Sequence, residues 1–426
     1  MRIAMMTNNY KPFIGGVPIS IERLSEGLRE IGHEVFIFAP SYEKGECNED
    51  KYIVRCKSFN KKNGEYVIPN VLKSNISEQF GKLNIDVIHV HHPIIMGNLA
   101  QYLGRKYKIP VVFTYHTKYE EYLHNIKIYN IMEEKSRREE GKFLSNVETG
   151  ILRFVKRKVV PKYLTHFMNN CNMIFAPTRE IQNHLQYCNV KSEINTIPTG
   201  LSKNYFKQSI HESEKLRNKY IDHKKYLFCT VCRLNKEKNL EFLIKGIYNL
   251  KERVGDCFNV MIIGNGPLKD ELEKLTLQLN LQNNIKFINS VDNNEINNYY
   301  RASDIFLFSS KSETQGIVLL EAMAARIPVV AIQATGVRDI VKNGINGYMT
   351  EEDTDKWSEK VIKLIEDEEL RKKLGEGAFN TSRLYSNKNV AEMAIQQYKY
   401  IVEKYFIEKN KNTNTHNIYR NEEATI

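Results

Sequence analysis

Short apolar runs alternate along the chain with longer stretches whose apolar positions recur at helical spacing. RIAMMT is followed by a helical pattern over Ile19–Ile31 and then EVFIFA; DVIHVH is followed by a helix near Asn98–Tyr107 and then PVVFTYH. Strand, crossover helix and strand in that rhythm predict βαβ units and a parallel sheet, because parallel neighbours need a long connection. The series restarts at YLFCTVCRL and continues through a helix from Leu240, NVMIIG, a helix from Leu268, NIKFIN, a helix over Glu295–Ala302, DIFLFS, a helix from Ile317 and PVVAI. Two doubly wound α/β units are therefore expected in series. Their boundary is expected at TIPTGLSKNYF, residues 196–206, where Pro198 and Gly200 end a strand and polar residues follow. The expected division is residues 1–200, residues 201–385, a C-terminal helix over 386–408 packing back on the first unit, and 409–426 as a disordered tail. That tail, KNKNTNTHNIYRNEEATI, is polar and nearly devoid of apolar residues. In such a pair a ligand is expected between the domains, outside the carboxyl ends of the strands.

At 426 residues and 42% hydrophobic content the chain can bury sizeable cores. No run approaches the roughly 18 apolar residues that spanning a bilayer requires, and MRIAMMTNNY lacks the basic start and apolar stretch of a signal peptide. A soluble or peripheral protein of the cytoplasm is expected. The 7 cysteines fit reduced thiols better than a disulfide framework. Cys229 and Cys232 form C-x-x-C, but residues three apart on a strand face opposite sides, so zinc or redox chemistry is not expected there. The formal net charge is +11, with 28 Lys/Arg against 20 Asp/Glu in residues 1–200 and 34 against 31 thereafter. An excess of this kind can serve nucleic acid, an anionic membrane surface or solubility alone. Nucleic-acid binding would need basic residues interleaved with aromatics on one face, and no such motif stands out.

Chemistry concentrates in SSKSETQGIVLLEAMAARIPVVA. Glu313 and Glu321 stand in an E-x7-E spacing around the turn Thr314–Gln315–Gly316, with Ile317 opening a helix. A glycine turn lets backbone approach a ligand, and the free N–H groups of a helix start, here Gly316, Ile317 and Val318, favour anionic or hydroxyl-rich groups. One carboxylate can then meet sugar hydroxyls and the other a ribose; two solvated acids flanking a turn is the plainer alternative. Gly15 and Gly16 separate the first strand from the first helix, where backbone can approach a diphosphate or an acceptor. Arg233 and Lys238 follow a strand end; two cations there either neutralise a departing diphosphate or sit in a solvated loop. His116 closes PVVFTYH, as a strand-end histidine or a ligand contact. The D-x-D pair Asp353–Asp355, in TEEDTDKWSEKVIKLI, has the pattern of a helix cap rather than of a cation site.

SETQGIVLLEAMA with GVRDIVKNGINGYM after it resembles the E-x7-E segment of retaining GT-B glycosyltransferases. The resemblance extends to about Glu408 and includes NYKPFIGGVP, TYHTKYEEYLH and CRLNKEKNLEFLIKG. It implies the GT-B fold, two Rossmann-like domains facing each other across a cleft. It implies Arg233 and Lys238 on the leaving phosphates with Glu313 on the hexose, and His116 beside the same sugar. Gly16, Gly264, Gly266, Gln315, Gly316, Ile317, Val318 and Glu321 would line the donor site. No metal or other cofactor is expected, the two cations taking a metal's part. Two departures from the family pattern, Cys232 and Arg326 where glycine is usual, bear on local loop shape.

The stretch GILRFVKRKVVPKYL, residues 150–164, carries Arg153, Lys156, Arg157, Lys158 and Lys162 and no acid. Two readings stand: a helix lying on an anionic membrane, or a helix packing its apolar face on its own domain. The SETQG variant and the Tyr-rich TYHTKYEEYLHNIKIY are similar to bacterial diacylglycerol glucosyltransferases, which implies UDP-glucose as donor and a lipid acceptor at the inner membrane face. A sugar, wall polymer or protein acceptor, and nucleotide-sugar epimerisation, are the rival expectations.

Overall fold

The computed structural model describes residues 1–13, 15–42, 50–59, 67–116, 158–207 and 210–423, with 410–423 as backbone alone. The chain divides into two compact units, Met1–Ile197 with Ala391–Ile426, and Pro198–Val390.

The first unit is built on a parallel sheet of β1 (Arg2–Met6), β2 (Glu34–Pro40), β3 (Ile53–Cys56), β4 (Val87–Val90), β5 (Val111–Thr114), β6 (Met173–Ala176) and β7 (Glu193–Thr196), in the order β3-β2-β1-β4-β5-β6-β7. The central strands are buried on both faces, which is why they read as continuous apolar runs and not as alternation. Strand order reverses direction between β1 and β4. Connections there leave to opposite sides, the point at which doubly wound sheets take ligands beyond their carboxyl ends. The segments 7–13 and 91–95 follow β1 and β4 at that point.

A long helix, Asn387–Glu423, closes the first unit. Tyr398 is buried and stacks on Phe175 with centroids 5.6 Å apart. Gln397 accepts a bond from Asn195 at 2.8 Å, and Lys404 pairs with Glu193 at 3.1 Å. The helix backbone continues to Glu423, through the segment whose composition predicts a disordered tail. That segment contains no glycine or proline to stop it.

The second unit repeats the plan with β8 (Tyr226–Val231), β9 (Phe258–Ile263), β10 (Ile285–Ile288), β11 (Ile305–Phe308), β12 (Val329–Ile332) and β13 (Gly347–Thr350), ordered β10-β9-β8-β11-β12-β13 and parallel throughout. Its two faces carry separate cores: Leu227, Cys229, Phe306 and Phe308 on one, Tyr226, Phe228, Ile305 and Leu307 on the other. Trp357 fills the second core so closely that a Cβ on Gly246 would lie 2.8 Å from its ring. The switch point lies between β8 and β11, and the loops after those strands carry the E-x7-E and R-x4-K motifs.

Candidate functional site

The loop after β8 turns through a short 3-10 segment, Lys236–Lys238, and meets the loop after β11. Ser309 Oγ donates to the Lys238 carbonyl at 2.8 Å and Lys311 N–H to the Glu237 carbonyl at 3.0 Å, so one side-chain and one backbone bond tie the two loops together. Across this seam the Lys238 ammonium pairs with the Glu313 carboxylate. The two side chains are only 17% and 15% exposed. Charges so far removed from water need a partner, and each is the other's. Arg233 is exposed and has no ion-pair partner among the described residues, which leaves its guanidinium fork for a ligand.

Gly316 occupies the left-handed region at φ 73° and starts the helix Ile317–Ala324 without a side-chain cap. Only glycine takes that conformation without strain, and the turn leaves the first-turn amides facing outward from the helix end. Glu321, one turn in, is 7% exposed and accepts a bond from Tyr300 Oη at 3.1 Å. Burial and the nearby carboxylate push the Tyr300 phenol well up, so the hydroxyl stays protonated and donates. The side chain of Gln315, expected among the donor contacts, is engaged within its own unit. Its amide accepts from Thr199 N–H at 2.6 Å and donates to the Thr199 carbonyl at 2.9 Å, so both polar ends serve the protein and only its backbone is left for a ligand.

Gly264 and Gly266 follow β9, and their need for glycine comes from packing. A Cβ on Gly264, at φ 137°, would lie 2.0 Å from the Cys232 carbonyl oxygen, and one on Gly266 would lie 2.4 Å from that of Leu234. The glycines thus let the β9 loop press against the loop that carries Arg233. Cys229 and Cys232 point to opposite faces, one in each core, as their spacing on a strand requires. Asp353 caps the helix Thr354–Glu366, its Oδ1 accepting the N–H groups of Asp355 at 2.9 Å and Lys356 at 3.0 Å. Those bonds hold its carboxyl below the usual range. Arg326 adopts φ 65°, where glycine would be unstrained; its guanidinium lies 3.8 Å from the centre of the Phe379 ring and pairs with Glu376, which offsets the strain.

In the first unit Gly16 opens the helix Gly16–Glu30, and a Cβ there would meet nothing within 4 Å. His116 sits two residues past β5, half-buried, with its Nε2 2.8 Å from Nδ1 of His91. The sequence reading passed over the companions of His116. His89 lies between Tyr398 Oη at 2.7 Å and Thr114 Oγ1 at 2.6 Å, and His92 ties down the loop after β1 by accepting from Asn8 N–H at 3.3 Å. Burial lowers all four rings, His89 to about 3 and His92 to about 4, so they are neutral at pH 7. The run HVHH was their only signal; their grouping depends on β4 and β5 being neighbours.

Of the membrane-surface candidates, Arg153, Lys156 and Arg157 lie outside the described residues. Lys158 and Lys162 are exposed at the start of the helix Val160–Asn169, whose Leu164, Phe167 and Met168 pack into the core of their own unit. Among the described residues no helix is long and apolar enough to cross a membrane.

Comparison with known proteins agrees with this architecture. Residues 14–204 match the profile of glycosyltransferase family 4 and residues 212–381 that of glycosyl transferases group 1, so the class is that of a sugar-transferring enzyme. The alpha-monoglucosyldiacylglycerol synthase of Acholeplasma laidlawii is 27% identical over 417 residues, 95% of this chain and 98% of that one. The synthase of the same name from Streptococcus pneumoniae is 29% identical over 340 residues, 78% of this chain and 71% of that one. Anabaena HepE, solved with UDP and glucose, shares the fold with a TM-score of 0.69 at 16% identity, over 94% of this chain and 99% of that one. The chain belongs to the GT-B glycosyltransferases.

Proposed function

We propose that this glycosyltransferase moves glucose from UDP-glucose to a membrane lipid acceptor such as diacylglycerol, with retention at the anomeric carbon and without a metal. The observation that carries the reading is the Lys238–Glu313 pair at the β8/β11 switch point, with Arg233 unpaired beside it in sequence. Glu313 offers a carboxylate to hexose hydroxyls, the amides of Gly316, Ile317 and Val318 hold the same sugar, and Glu321 takes the ribose. Arg233 and Lys238 stabilise the charge that grows on the diphosphate as the glycosidic bond breaks, the task a divalent cation performs elsewhere. The one D-x-D in the chain is occupied as a helix cap, which supports assigning that charge to the two cations. His116 is assigned to the hexose.

The acceptor reading rests on similarity to two synthases whose name specifies an α-linked glucosyl-diacylglycerol product. An α-linked product from an α-linked donor keeps its configuration, which is the basis for proposing retention. The exposed Lys158 and Lys162 beside Val159, itself 47% exposed, offer a cationic and apolar edge to an anionic peripheral membrane surface. The test is incubation of the full chain with a panel of nucleotide sugars, a membrane lipid extract and a chelator, with products identified by mass. A hexosyl-lipid formed from UDP-glucose in the presence of chelator is expected. Transfer to a water-soluble acceptor alone, or activity abolished by the chelator and restored by a divalent cation, would overturn the reading.

A further inference from the structure

His91 follows the end of β4 by one residue and His116 follows the end of the neighbouring β5 by two, and their rings stack with centroids 5.1 Å apart. Nδ1 of His91 lies 2.8 Å from Nε2 of His116, so one ring must donate and the other accept. His91 is fully buried, and its second nitrogen, Nε2, has no hydrogen-bond partner. Behind it the His89 ring lies 4.2 Å away, but both His89 nitrogens are already matched with Tyr398 and Thr114.

Each neutral imidazole carries one proton, so two arrangements are open. If His116 donated from Nε2, the His91 proton would sit on Nε2, a buried N–H with nothing to receive it. Such orphaned donors cost about 1–3 kcal/mol and are rare in folded proteins. If His91 donates from Nδ1, its Nε2 is a bare lone pair in an apolar setting, the milder deficit. His116 must then carry its own proton on Nδ1, which has no partner among the described residues.

We infer that His91 is a positioning residue that sets the tautomer of His116, holding the proton on Nδ1 so that His116 meets a ligand as a hydrogen-bond donor and not as a base. The inference rests on the reading of His116 as a contact to the donor hexose. A hydroxyl oxygen of that sugar is the group this donor fits. His116 is thereby excluded as the group that takes the acceptor's proton through Nδ1.

The test uses the full chain labelled with 15N-histidine, with His116→Gln to assign the ring and long-range 1H–15N spectra to read which nitrogen is protonated. Wild type is expected to show His116 protonated on Nδ1. His91→Phe, which keeps a ring but removes the donor, should move His116 toward the Nε2 form and lower kcat/KM for the nucleotide sugar by ~10-fold or more. His91→Asn, whose amide N–H can stand where Nδ1–H stood, should restore both. A wild-type His116 protonated on Nε2 overturns the inference even if neither variant folds, as does a folded His91→Phe protein whose tautomer is unchanged. A tautomer as stated with no response of His116 to any nucleotide sugar upholds the pair and overturns the hexose reading instead, so the two can fail separately.

Discussion

Glu313 and Lys238 are 75 positions apart in the chain and share one ion pair. Each motif was legible by itself, because E-x7-E and R-x4-K are local spacings beside strand ends. Their pairing was not, because it depends on β8 and β11 being neighbours at a reversal of strand order. The same limit hid the histidine cluster and the bonds that Gln315 makes to Thr199, more than a hundred positions away. Asp353 could be assigned from sequence alone, since a cap is decided within four residues. These assignments separate two substitutions. Arg233→Ala should lower turnover by ~10²-fold or more, the scale of one electrostatic contact to a developing charge, with Tm unchanged. Asp353→Ala should do the reverse, lowering Tm while activity, measured with and without chelator, stays as in wild type. Steady-state kinetics and a melting curve on each protein check both, and lost activity in a folded Asp353→Ala would contradict the cap assignment.

At the scale of elements, the long periodic helices and the central strands were readable, with helix starts such as Leu240 and Ile317 found where the pattern put them. The strands that escaped were four-residue edge or near-edge pieces, IVRC in β3, MIFA in β6 and GYMT in β13, whereas β7 was legible from the Pro198 and Gly200 that end it. Short runs carry too little pattern to tell a strand from a loop, and their partners decide the matter. The G-x-G after β9 was legible as a strand end and, by resemblance, as a donor-side loop, but its packing was not: the backbone of another loop occupies the space a side chain would need. Gly264→Ala should therefore destabilise the second unit by about 2 kcal/mol or more, from backbone strain together with the clash at Cys232. Trp357, the single tryptophan, lies buried in that unit and reports its unfolding. A denaturation midpoint of Trp357 emission equal to wild type would count against this packing.

For the molecule as a whole, the two units differ in what acid does to them. Burial depresses His89 and His92 far below the 6.5 of a free histidine, and lowers His91 and His116 as well. Above pH 6.5 folded and unfolded chains hold these rings equally neutral and the stability is intact. As pH falls below 6.5 the unfolded chain takes up protons the folded first unit refuses, so stability drops until the folded values near 4 and 3 are reached. Each of His89 and His92 contributes up to about 1.4 kcal/mol per pH unit in that window. Carboxylates held low in the second unit, Asp256 and Glu352, lose their contribution only at lower pH, in the carboxylate range. Between pH 7 and 5 the melt followed by far-UV circular dichroism should therefore move down ahead of the melt followed by Trp357 fluorescence; coincident shifts would contradict the buried, neutral histidines. The central claim is hexose transfer organised by the Lys238–Glu313 pair, and its most direct test is the reaction itself. Purified protein is given UDP-glucose and diacylglycerol in anionic vesicles, and the rate and anomeric configuration of the product are read by NMR for wild type and for Glu313→Gln. The account predicts an α-glucosyl lipid from wild type and a rate at least ~10²-fold lower from the folded variant; a β-linked product, or a folded Glu313→Gln protein that turns over at the wild-type rate, would contradict it.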